Sequence, residues 1–485
     1  MVRCVTVTVS RKFILGLISA LLLPMHAHGE VFINWQGLQD PFVRDALFDS
    51  YQGKHFNAIT RLQSAQKTGL IKGNPERASL VLGGLYLAYG FHQEAANIFE
   101  AFLATDQPPE VRDEAWFYLA KTQYHRGHYE KALQALYKIR GNLGISLQPE
   151  RYLIEAIIYM KQDRLDDAVK VLNKVDQRTN WWAYGRYNLA IALFRLGKRQ
   201  EAETVLNQVG SMSVADKEMQ DLKDKANLMQ GFASLESGES EKAKSYFKRL
   251  KLDGMHSNQG LLGLGRAYSA NNEHEKSLVP WLELIDRNPS DSAVQDALMA
   301  VPYALGQMEA YKQSLEYYEK AMRLFQEEIK KINTAAEAVG GGKLVEGLIR
   351  AQSGESVSGL WTEKMVLNTP EGQYLWPLLT QYEFRETLFN YQRLRVSLGK
   401  LEGWSALLNT LQSLSDKRRA TYETRITQLQ SQILLASEKL NHHLESLAYD
   451  ELERRKQRLV QYFNEARFSV AQIYDYAAKR WGQTQ

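Results

Sequence analysis

Residues 82–109 are LGGLYLAYGFHQEAANIFEAFLATDQPP, and this stretch carries the signals that decide the fold. Gly90 separates two segments that are rich in apolar residues, and Pro108 and Pro109 close the second one. Glycine accepts a turn conformation that other residues avoid, and proline is found where a helix must stop. The stretch therefore predicts two short antiparallel helices joined by a tight turn.

The same arrangement recurs along the chain. After each predicted turn comes a small residue, followed three or four positions later by a large apolar one. The small residues are Ala58, Ala95, Ala132, Ala168, Ala202, Ala243, Ser277 and Ser314. Their separations are 37, 37, 36, 34, 41, 34 and 37 residues. A period sustained over so many intervals indicates a repeat architecture, in which each unit buries its apolar side against the next.

The repeated residues resemble the tetratricopeptide repeat family, whose pattern is W-x2-L-G-x2-Y, then A-x3-F and a closing proline. In the quoted stretch the matching residues are Leu82-Gly83, Tyr86, Ala95 and Phe99. Matches elsewhere are Trp116, Leu119-Ala120, Leu189-Ala190, Leu206, Leu264-Gly265, Tyr268 and Trp281, with prolines between units at Pro75, Pro108, Pro109, Pro149 and Pro289. The resemblance implies an all-α, right-handed superhelix of about eight helix pairs. An irregular helical bundle is the alternative.

The resemblance also implies a binding groove, lined by the first helix of each pair. The groove candidates are Phe117, Lys121, Tyr124, His125, Leu153, Ile157, Lys161, Tyr184, Tyr187, Ile191, Phe194 and Arg195. Aromatic residues among cations suit a peptide with apolar anchors and acidic groups. In the alternative interpretation the aromatic residues pack between helices and the cations are solvated.

Residues 1–29 have the features of a signal peptide. Arg3, Arg11 and Lys12 precede an apolar run that is short for a membrane span, and Ala27-His28-Gly29 offers a cleavage site. We expect export, into a periplasm if the signal is bacterial; a retained membrane anchor is the alternative. The single cysteine, Cys4, lies inside this segment, so the mature chain would have no thiol.

Composition and motifs argue against several classes of function. Without the three basic residues of the signal segment, 57 basic residues face 56 acidic ones, which gives no reason to expect nucleic-acid binding. No second apolar stretch approaches the length of a membrane span. Gly340-Gly-Gly-Lys343 lacks the remaining residues of a phosphate loop, and neither His125 and His128 nor His442-His443 has metal-ligand spacing. We therefore expect no catalytic residues, no metal and no cofactor.

The C-terminal third has a different character. A glycine-rich segment ending at Gly342 predicts a hinge, and the 78 residues from Trp404 to Trp481 contain neither Gly nor Pro, which predicts long helices. A heptad seam runs through Ile426, Leu429, Ile433, Ala436, Leu440, His443 and Leu447, and a second register through Leu459, Tyr462, Ala466, Ser469, Ile473 and Tyr476. The seam slips between Ala448 and Arg458. An intermolecular coiled coil and a helical hairpin folded back on the chain both fit.

These observations predict five segments: a signal peptide (1–29), a degenerate capping repeat (30–75), the repeat solenoid (76–330), a hinge with connecting helices (331–400) and a long helical module (401–481). The predicted function is a non-enzymatic scaffold that binds envelope proteins in its groove, with self-association through the C-terminal helices. The alternative is a glycan-handling accessory, because Trp181, Trp182, Tyr184 and Tyr187 offer rings on which sugars stack.

Overall fold

The computed structural model describes residues 40–72, 75–106, 108–179, 181–214, 216–341, 374, 378, 382–410 and 416–481. The predicted signal peptide and most of the predicted hinge lie outside these ranges. The described residues form helices, turns and bends, with no strand among them. They divide into two compact units: the first comprises the described residues up to Tyr51 and His55–Tyr317, and the second comprises Gln52–Lys54 and the described residues from Tyr318 onward.

The first unit is built from consecutive helix pairs, which we number as repeats 1 to 8. The pairs are α1 (Pro41–Tyr51) with α2 (His55–Lys67), α3 (Pro75–Tyr89) with α4 (His92–Leu103), α5 (Pro109–His125) with α6 (Tyr129–Lys138), α7 (Gly144–Lys161) with α8 (Leu165–Leu172), α9 (Trp182–Arg195) with α10 (Arg199–Gly210), α11 (Lys217–Glu236) with α12 (Ser240–Phe247), α13 (Ser257–Ala270) with α14 (His274–Ile285), and α15 (Ser292–Gln307) with α16 (Tyr311–Gly340). The predicted all-α fold of stacked helix pairs is confirmed.

Each repeat places its marker residue at the same point of the second helix. The small residues at 58, 95, 132, 168, 202, 243, 277 and 314 are each the fourth residue of that helix, and none exposes more than 1% of its surface. Five positions earlier, the turn between the two helices contains a residue with a left-handed φ between 58° and 85°. These turn residues are Gly53, Gly90, Gly127, Asp163, Gly197, Gly238, Asn272 and Glu309. Three turns therefore use a residue other than glycine, which the sequence pattern did not predict.

In repeats 1 to 7, a small residue of the first helix stands sixteen positions before the large apolar residue of the second. A Cβ atom on Gly83 would lie 2.6 Å from Cε1 of Phe99, and one on Gly231 would lie 2.5 Å from Cε1 of Phe247. Such distances are shorter than carbon atoms tolerate, so the aromatic ring occupies the space that a side chain would need. Gly265 and Trp281 are related in the same way.

Where the large residue is leucine, the small residue is alanine. The pairs at the same sixteen-residue separation are Ala46 and Leu62, Ala120 and Leu136, Ala156 and Leu172, and Ala190 and Leu206, all of them buried. Glycine with an aromatic residue and alanine with leucine fill a similar volume. The repeats thus keep one helix spacing with two packing solutions.

The pairs stack through both of their helices. Each second helix from α2 to α14 contacts the first helix of the next repeat, and the first helices α1 to α15 each contact the next first helix along the chain. One core cluster of buried residues extends from Leu80 to Met229. Because no pair covers its own apolar surface, stability comes from neighbouring repeats.

One proline is placed differently from the prediction. Pro75 and Pro109 begin helices, but Pro149 lies inside α7 rather than between two units. Helix α7 begins at Gly144, so Pro149 follows its first turn. The expectation that every listed proline separates repeats was therefore wrong at this position.

Helix α16 begins in the first unit, and its residues from Tyr318 onward belong to the second. The second unit also contains two long helices, α17 (Tyr382–Thr410) and α18 (Asp416–Trp481), which pack against each other. Helix α17 continues through Gly399 and Gly403, so the segment boundary that we expected at residue 400 falls within a helix. The expected end of the solenoid at residue 330 likewise falls within α16. Contact between α17 and α18 supports the folded-back hairpin for this part of the chain.

The predicted seam of α18 is only partly correct. In its C-terminal half Leu459 and Ala466 are buried as predicted. In its N-terminal half the buried residues are Ser437, Leu444 and Ala448, each one position after a predicted seam residue, and His443 is exposed. The helix also continues without a break through residues 448–458. The expected slip is therefore a gradual rotation of the buried face along one helix.

Candidate functional site

The first helices present a line of residues that repeats with the fold. Six positions before each small packing residue, the chain places Asp40, Arg77, Glu114, Glu150, Tyr184, Lys225 and Gln259. Because the first helices of successive repeats are in contact, residues at equivalent positions of those helices lie next to each other. We call this set the first-helix line. Its charges change sign along the row, so its repeats differ in what they attract.

In repeats 3 and 4, Glu150 of the first-helix line is paired inside the chain with Lys121. Lys121 Nζ lies 2.6 Å from Glu150 Oε1, and both side chains are less than 10% exposed. Burial raises the pKa of Glu114, and Arg77 opposes that rise. Burial also raises the pKa of the Tyr118 hydroxyl, with Glu114 and Glu150 adding to the effect. This region is a buried ionic network that holds helices α5 and α7 together.

Several groove candidates turn out to be interior residues. Phe117 and Tyr187 have no exposed surface, and Leu153, Ile157 and Ile191 are also buried. Tyr184 is 5% exposed, and its hydroxyl donates to Glu218 Oε1. Lys121 belongs to the pair with Glu150 described above. These residues position the first helices, and a ligand that lies on the surface has little access to them.

The remaining candidates lie near the turns of repeats 3 to 5. Arg195 donates to the Met160 carbonyl oxygen at 2.7 Å and to Asp163 at 2.8 Å, so its charge is already used. Tyr124 and Phe194 are half-buried. The half-buried ring of His125 stacks on His92 with centroids 5.5 Å apart. The structure therefore does not gather the predicted cations into one cluster.

Lys161 lies in an open cleft at the turn end of repeats 3 and 4. Its Nζ atom is 5.2 Å from the centre of the Tyr129 ring, the distance of a cation–π contact. The cleft measures about 690 Å³, and its other lining residues are Gly127, His128, Glu130, Lys131 and Gln162. It is wide and shallow, and its exposed cations are solvated.

A different cation stands out on the first-helix line. Lys225 of α11 is half-buried and makes no hydrogen bond or ion pair with any residue that the structure describes. Its Nζ atom lies 5.7 Å from the centre of the Tyr187 ring on α9. The Tyr187 hydroxyl is buried and has no hydrogen-bond partner among the described residues. Two polar groups of neighbouring repeats are thus left unsatisfied side by side.

The pKa values around Lys225 show that its ammonium lacks a counter-ion among the described residues. Burial lowers the pKa of Lys225 to about 8. On the side of repeat 7, burial and the nearby Lys225 lower the pKa of His256 to about 4, so this imidazole is neutral at pH 7. A desolvated ammonium without a counter-ion is costly, and a carboxylate is the group that would relieve it. We call Lys225, Tyr187 and His256 the Lys225 site.

The Lys225 site was missed from sequence because the groove candidates came from repeats 3 to 5 alone. The available signal was the repeat register, since Lys225 stands six positions before Gly231 just as Glu114 stands before Ala120. His256 had no such signal, because it lies in the connection that precedes α13.

The aromatic residues behind the glycan alternative divide into two groups. Trp181 and Trp182 at the start of α9 are half-buried, whereas Tyr184 and Tyr187 are buried. Arg186 lies 6.0 Å from the Trp182 ring. Only the two tryptophans therefore present ring surface on which a sugar would stack.

Among the described residues no group of three or more His, Cys, Asp or Glu side chains could hold a metal ion. None of the described helices combines the length and the apolar character needed to cross a membrane.

Comparison with known proteins gives the repeats a family description. Two models of the tetratricopeptide repeat match residues 80–142 and 183–208, which fall in repeats 2, 3 and 5. The chain therefore contains tetratricopeptide repeats. No curated protein matches the chain.

Solved structures with similar folds include a tetratricopeptide repeat protein from Parabacteroides merdae, at 16% identity and a TM-score of 0.34, over 54% of this chain and 97% of that one. The apo form of the quorum sensor NprR from B. thuringiensis is similar at 11% identity and a TM-score of 0.31, over 58% and 97% of the two chains. The human IFIT1 dimer with m7Gppp-AAAA is similar at 15% identity and a TM-score of 0.28, over 73% and 80%. Because these TM-scores are low, our description of the fold is based on the helix pairs of this chain and not on these structures.

Proposed function

We propose that this protein is a non-enzymatic scaffold of the cell envelope that binds an acidic segment of a partner protein at the Lys225 site. The observation that carries the proposal is the unpaired, half-buried Lys225 on the first-helix line. Protein binding is consistent with the tetratricopeptide repeats. The envelope location rests on the signal-like residues 1–29.

The chemistry of the site favours a carboxylate. Lys225 supplies the positive charge, and its Nζ atom lies 5.7 Å from the centre of the Tyr187 ring. A bound carboxylate would pair with the ammonium in a poorly hydrated place, where such bonds are strong. Neutral His256 adds no competing charge at pH 7. An acidic peptide with apolar neighbours fits this combination.

The direct test uses a synthetic peptide of alternating Phe and Glu residues and a matched peptide with Gln in place of Glu. We expect the full chain to bind the Glu peptide at least tenfold more tightly, and Lys225→Ala to remove the difference. Lys161→Ala, which removes an exposed lysine of repeat 4, is the matched control and should bind like the original protein. Equal binding of both peptides would reject the carboxylate site.

The pH dependence sharpens this test. The ammonium of free Lys225 is protonated below pH 8 and is lost as the pH rises through about 8. Affinity for the Glu peptide should therefore be constant below about pH 7 and fall roughly tenfold by pH 9. In Lys225→Arg the charge persists to much higher pH, so the profile should be flat. A profile that falls equally in both proteins would show that another group titrates.

The identity and location of the partner need a cellular experiment. A photoreactive amino acid at Gln259, next along the first-helix line, should crosslink a partner in envelope extracts, whereas the same residue at Val279 should not. Val279 is 72% exposed on the second helix α14 and serves as the matched control. Fractionation of the producing cells checks export, and recovery of the protein only with cytoplasmic markers would contradict the envelope role.

The glycan-handling alternative is favoured only by Trp181 and Trp182. It predicts that the purified protein sediments with cell-wall or exopolysaccharide preparations and that Trp182→Ala abolishes this. Lys225→Ala should leave sugar binding intact, so the two functions are separable.

A further inference from the structure

The connection between α12 and α13 brings His256 close to Lys225. This connection runs from Lys248 to His256, and we call residues 251–256 the His256 loop. Its last residue, His256, directly precedes α13. The imidazole lies near enough to Lys225 for the ammonium, together with burial, to lower its pKa. The His256 loop is therefore part of the Lys225 site.

The first half of the His256 loop lies against α11, the helix that carries Lys225. Burial raises the pKa of the Asp224 carboxyl on α11, and the backbone N–H of Lys251 opposes that rise. A Cβ atom on Gly254 would lie 3.1 Å from Asp224 Oδ2, so the loop backbone passes close to this carboxylate. Asp224 itself exposes 1% of its surface. The loop and α11 thus share a buried contact next to Lys225.

Arg287, which follows α14 in repeat 7, connects the two ends of the His256 loop. Its Nη1 atom donates to Ser257 Oγ and to Asn258 Oδ1, both at 2.7 Å. Its Nη2 atom donates to the Leu252 carbonyl oxygen at 3.4 Å. The Ser257 hydroxyl donates to the same carbonyl oxygen. One guanidinium therefore links the start of the loop to the start of α13.

Arg287 is itself oriented by repeat 7. Its Nη2 atom also donates to Glu283 Oε1 on α14 at 3.1 Å, and its side chain is 24% exposed. Asn258, one of its acceptors, donates in turn to Asp291 Oδ2 at 2.8 Å, just before α15. A guanidinium presents several N–H donors in one fixed plane, which suits three acceptors held by two segments. The shape of the loop is thus set by residues of the following repeats.

We propose that Arg287 is a positioning residue of the Lys225 site, because it holds the His256 loop in place and so limits the access of water to Lys225. Without the guanidinium, the Leu252 carbonyl oxygen keeps only the Ser257 hydroxyl as a side-chain donor among the described residues. The loop then moves more freely, and the side chains beneath it become better hydrated. The position of the loop does not depend on a partner, whereas the effect on partner binding rests on the function proposed above.

Better hydration has a definite effect on the two basic side chains. Burial and Lys225 lower the pKa of His256, and a hydrogen bond with Gln259 opposes them. Loss of burial should raise the pKa of His256 from about 4 toward 6.5, and that of Lys225 from about 8 toward 10.5. The other titratable groups on the surrounding elements are Tyr187 on α9, Asp221 and Asp224 on α11, and Lys251 on the loop.

The first test follows the His256 ring by NMR in the full chain with isotope-labelled histidine, assigned with a His256→Gln variant. In the original protein the ring signals should stay constant between about pH 5.5 and 8, because a group with a pKa of about 4 is already neutral there. In Arg287→Ala they should titrate within this range. Arg287→Lys should restore part of the original behaviour, because one ammonium cannot reach all three acceptors in the same geometry.

Arg249→Ala is the matched control. Arg249 stands two residues after α12, just as Arg287 stands two residues after α14. Its hydrogen bond goes to Asn207 Oδ1 on α10 at 3.0 Å. Its loss should therefore leave the His256 signals unchanged. Circular dichroism checks that every variant folds.

Binding of the Glu peptide supplies the second test. In the original protein the affinity should fall roughly tenfold between pH 7 and pH 9, as the ammonium of Lys225 is lost. In Arg287→Ala it should fall less than about threefold, because a hydrated Lys225 keeps its proton to higher pH. This difference separates a role at the Lys225 site from a general loss of stability, which would not move the pH profile.

Three results would overturn the proposal: His256 signals that do not titrate in folded Arg287→Ala, an equal titration in Arg249→Ala, or a tenfold fall of affinity in both the original protein and Arg287→Ala. If the original protein does not prefer the Glu peptide, the function proposed above fails, and the His256 signals alone decide the role of Arg287.

Discussion

Repeats 3 and 4 and repeats 6 and 7 share one backbone plan but differ in how they treat a lysine on the first helix. In repeat 3, Lys121 is buried against Glu150 of repeat 4 at 2.6 Å. In repeat 6, Lys225 is half-buried, lies near the Tyr187 ring and His256, and has no acidic partner among the residues that the structure describes. A charge that is paired inside the chain links neighbouring repeats, whereas a desolvated charge without a counter-ion is costly to the fold and is the basis of the binding role that we propose for Lys225.

The two regions also differ in packing. Repeats 3 and 4 combine Ala120 with Leu136 and Ala156 with Leu172, whereas repeats 6 and 7 combine glycine with Phe247 and Trp281. An aromatic ring on the second helix leaves less space for a side chain at the facing position of the first helix. The comparison therefore predicts different responses to matched substitutions.

The largest effect is expected at the paired lysine. Lys121→Ala should lower the free energy of unfolding by about 3–5 kcal/mol, because Glu150 would be left buried without its counter-ion. Urea unfolding followed by circular dichroism measures the change. The control Lys161→Ala removes an exposed lysine and should cost no more than about 0.5 kcal/mol. Similar costs for both variants would contradict the distinction between a paired and a solvated charge.

The second effect concerns the glycine of repeat 7. Gly265→Ala should cost about 1–3 kcal/mol, because its Cβ would collide with the Trp281 ring. In a Trp281→Leu background the same change should cost nothing, because the repeat then has the alanine–leucine packing of repeats 3 and 4. A double-mutant cycle from thermal unfolding measures the coupling between the two positions. Additive costs would show that the ring and the glycine do not share the space.

The third effect has the opposite sign. The pKa of Lys225 in the folded chain, about 8, is below the ordinary value of 10.5, so the unfolded chain binds more protons between these values and stability rises with pH there. Lys225→Met should therefore stabilise the fold at pH 7 by about 1–2 kcal/mol, a figure reduced for the partial exposure of the side chain. The gain should disappear as the pH rises from 8 toward 10.5. Unfolding measured at pH 7 and pH 10 checks this, and a loss of stability at pH 7 would identify Lys225 as structural.

The fold was predictable from sequence because the repeat fixes it through residues that are close together. The spacing of the small residues predicts where the helix pairs lie, because each small residue must pack against a neighbouring helix. The site was harder to predict, because pairing of a charge is decided between repeats. The sequence does not show that Lys121 meets Glu150 across 29 positions, or that Lys225 meets no acid among the described residues. The buried face of α18 was misplaced by one residue for the same reason, because it is set by the elements packed against it.

The smallest effect tests what the two regions have in common. Gly127 of repeat 3 and Gly238 of repeat 6 have φ values of 73° and 74°, and a Cβ atom on either would meet nothing within 4 Å. Substitution by alanine should therefore cost about 1 kcal/mol at both positions, from the left-handed backbone alone. Asn272→Gly in repeat 7 should change stability by only a few tenths of a kcal/mol, because asparagine tolerates this conformation. Thermal unfolding of the three variants measures these changes. Because the turns are equivalent, a difference between Gly127→Ala and Gly238→Ala would mean that repeats 3 and 6 do not share one backbone frame.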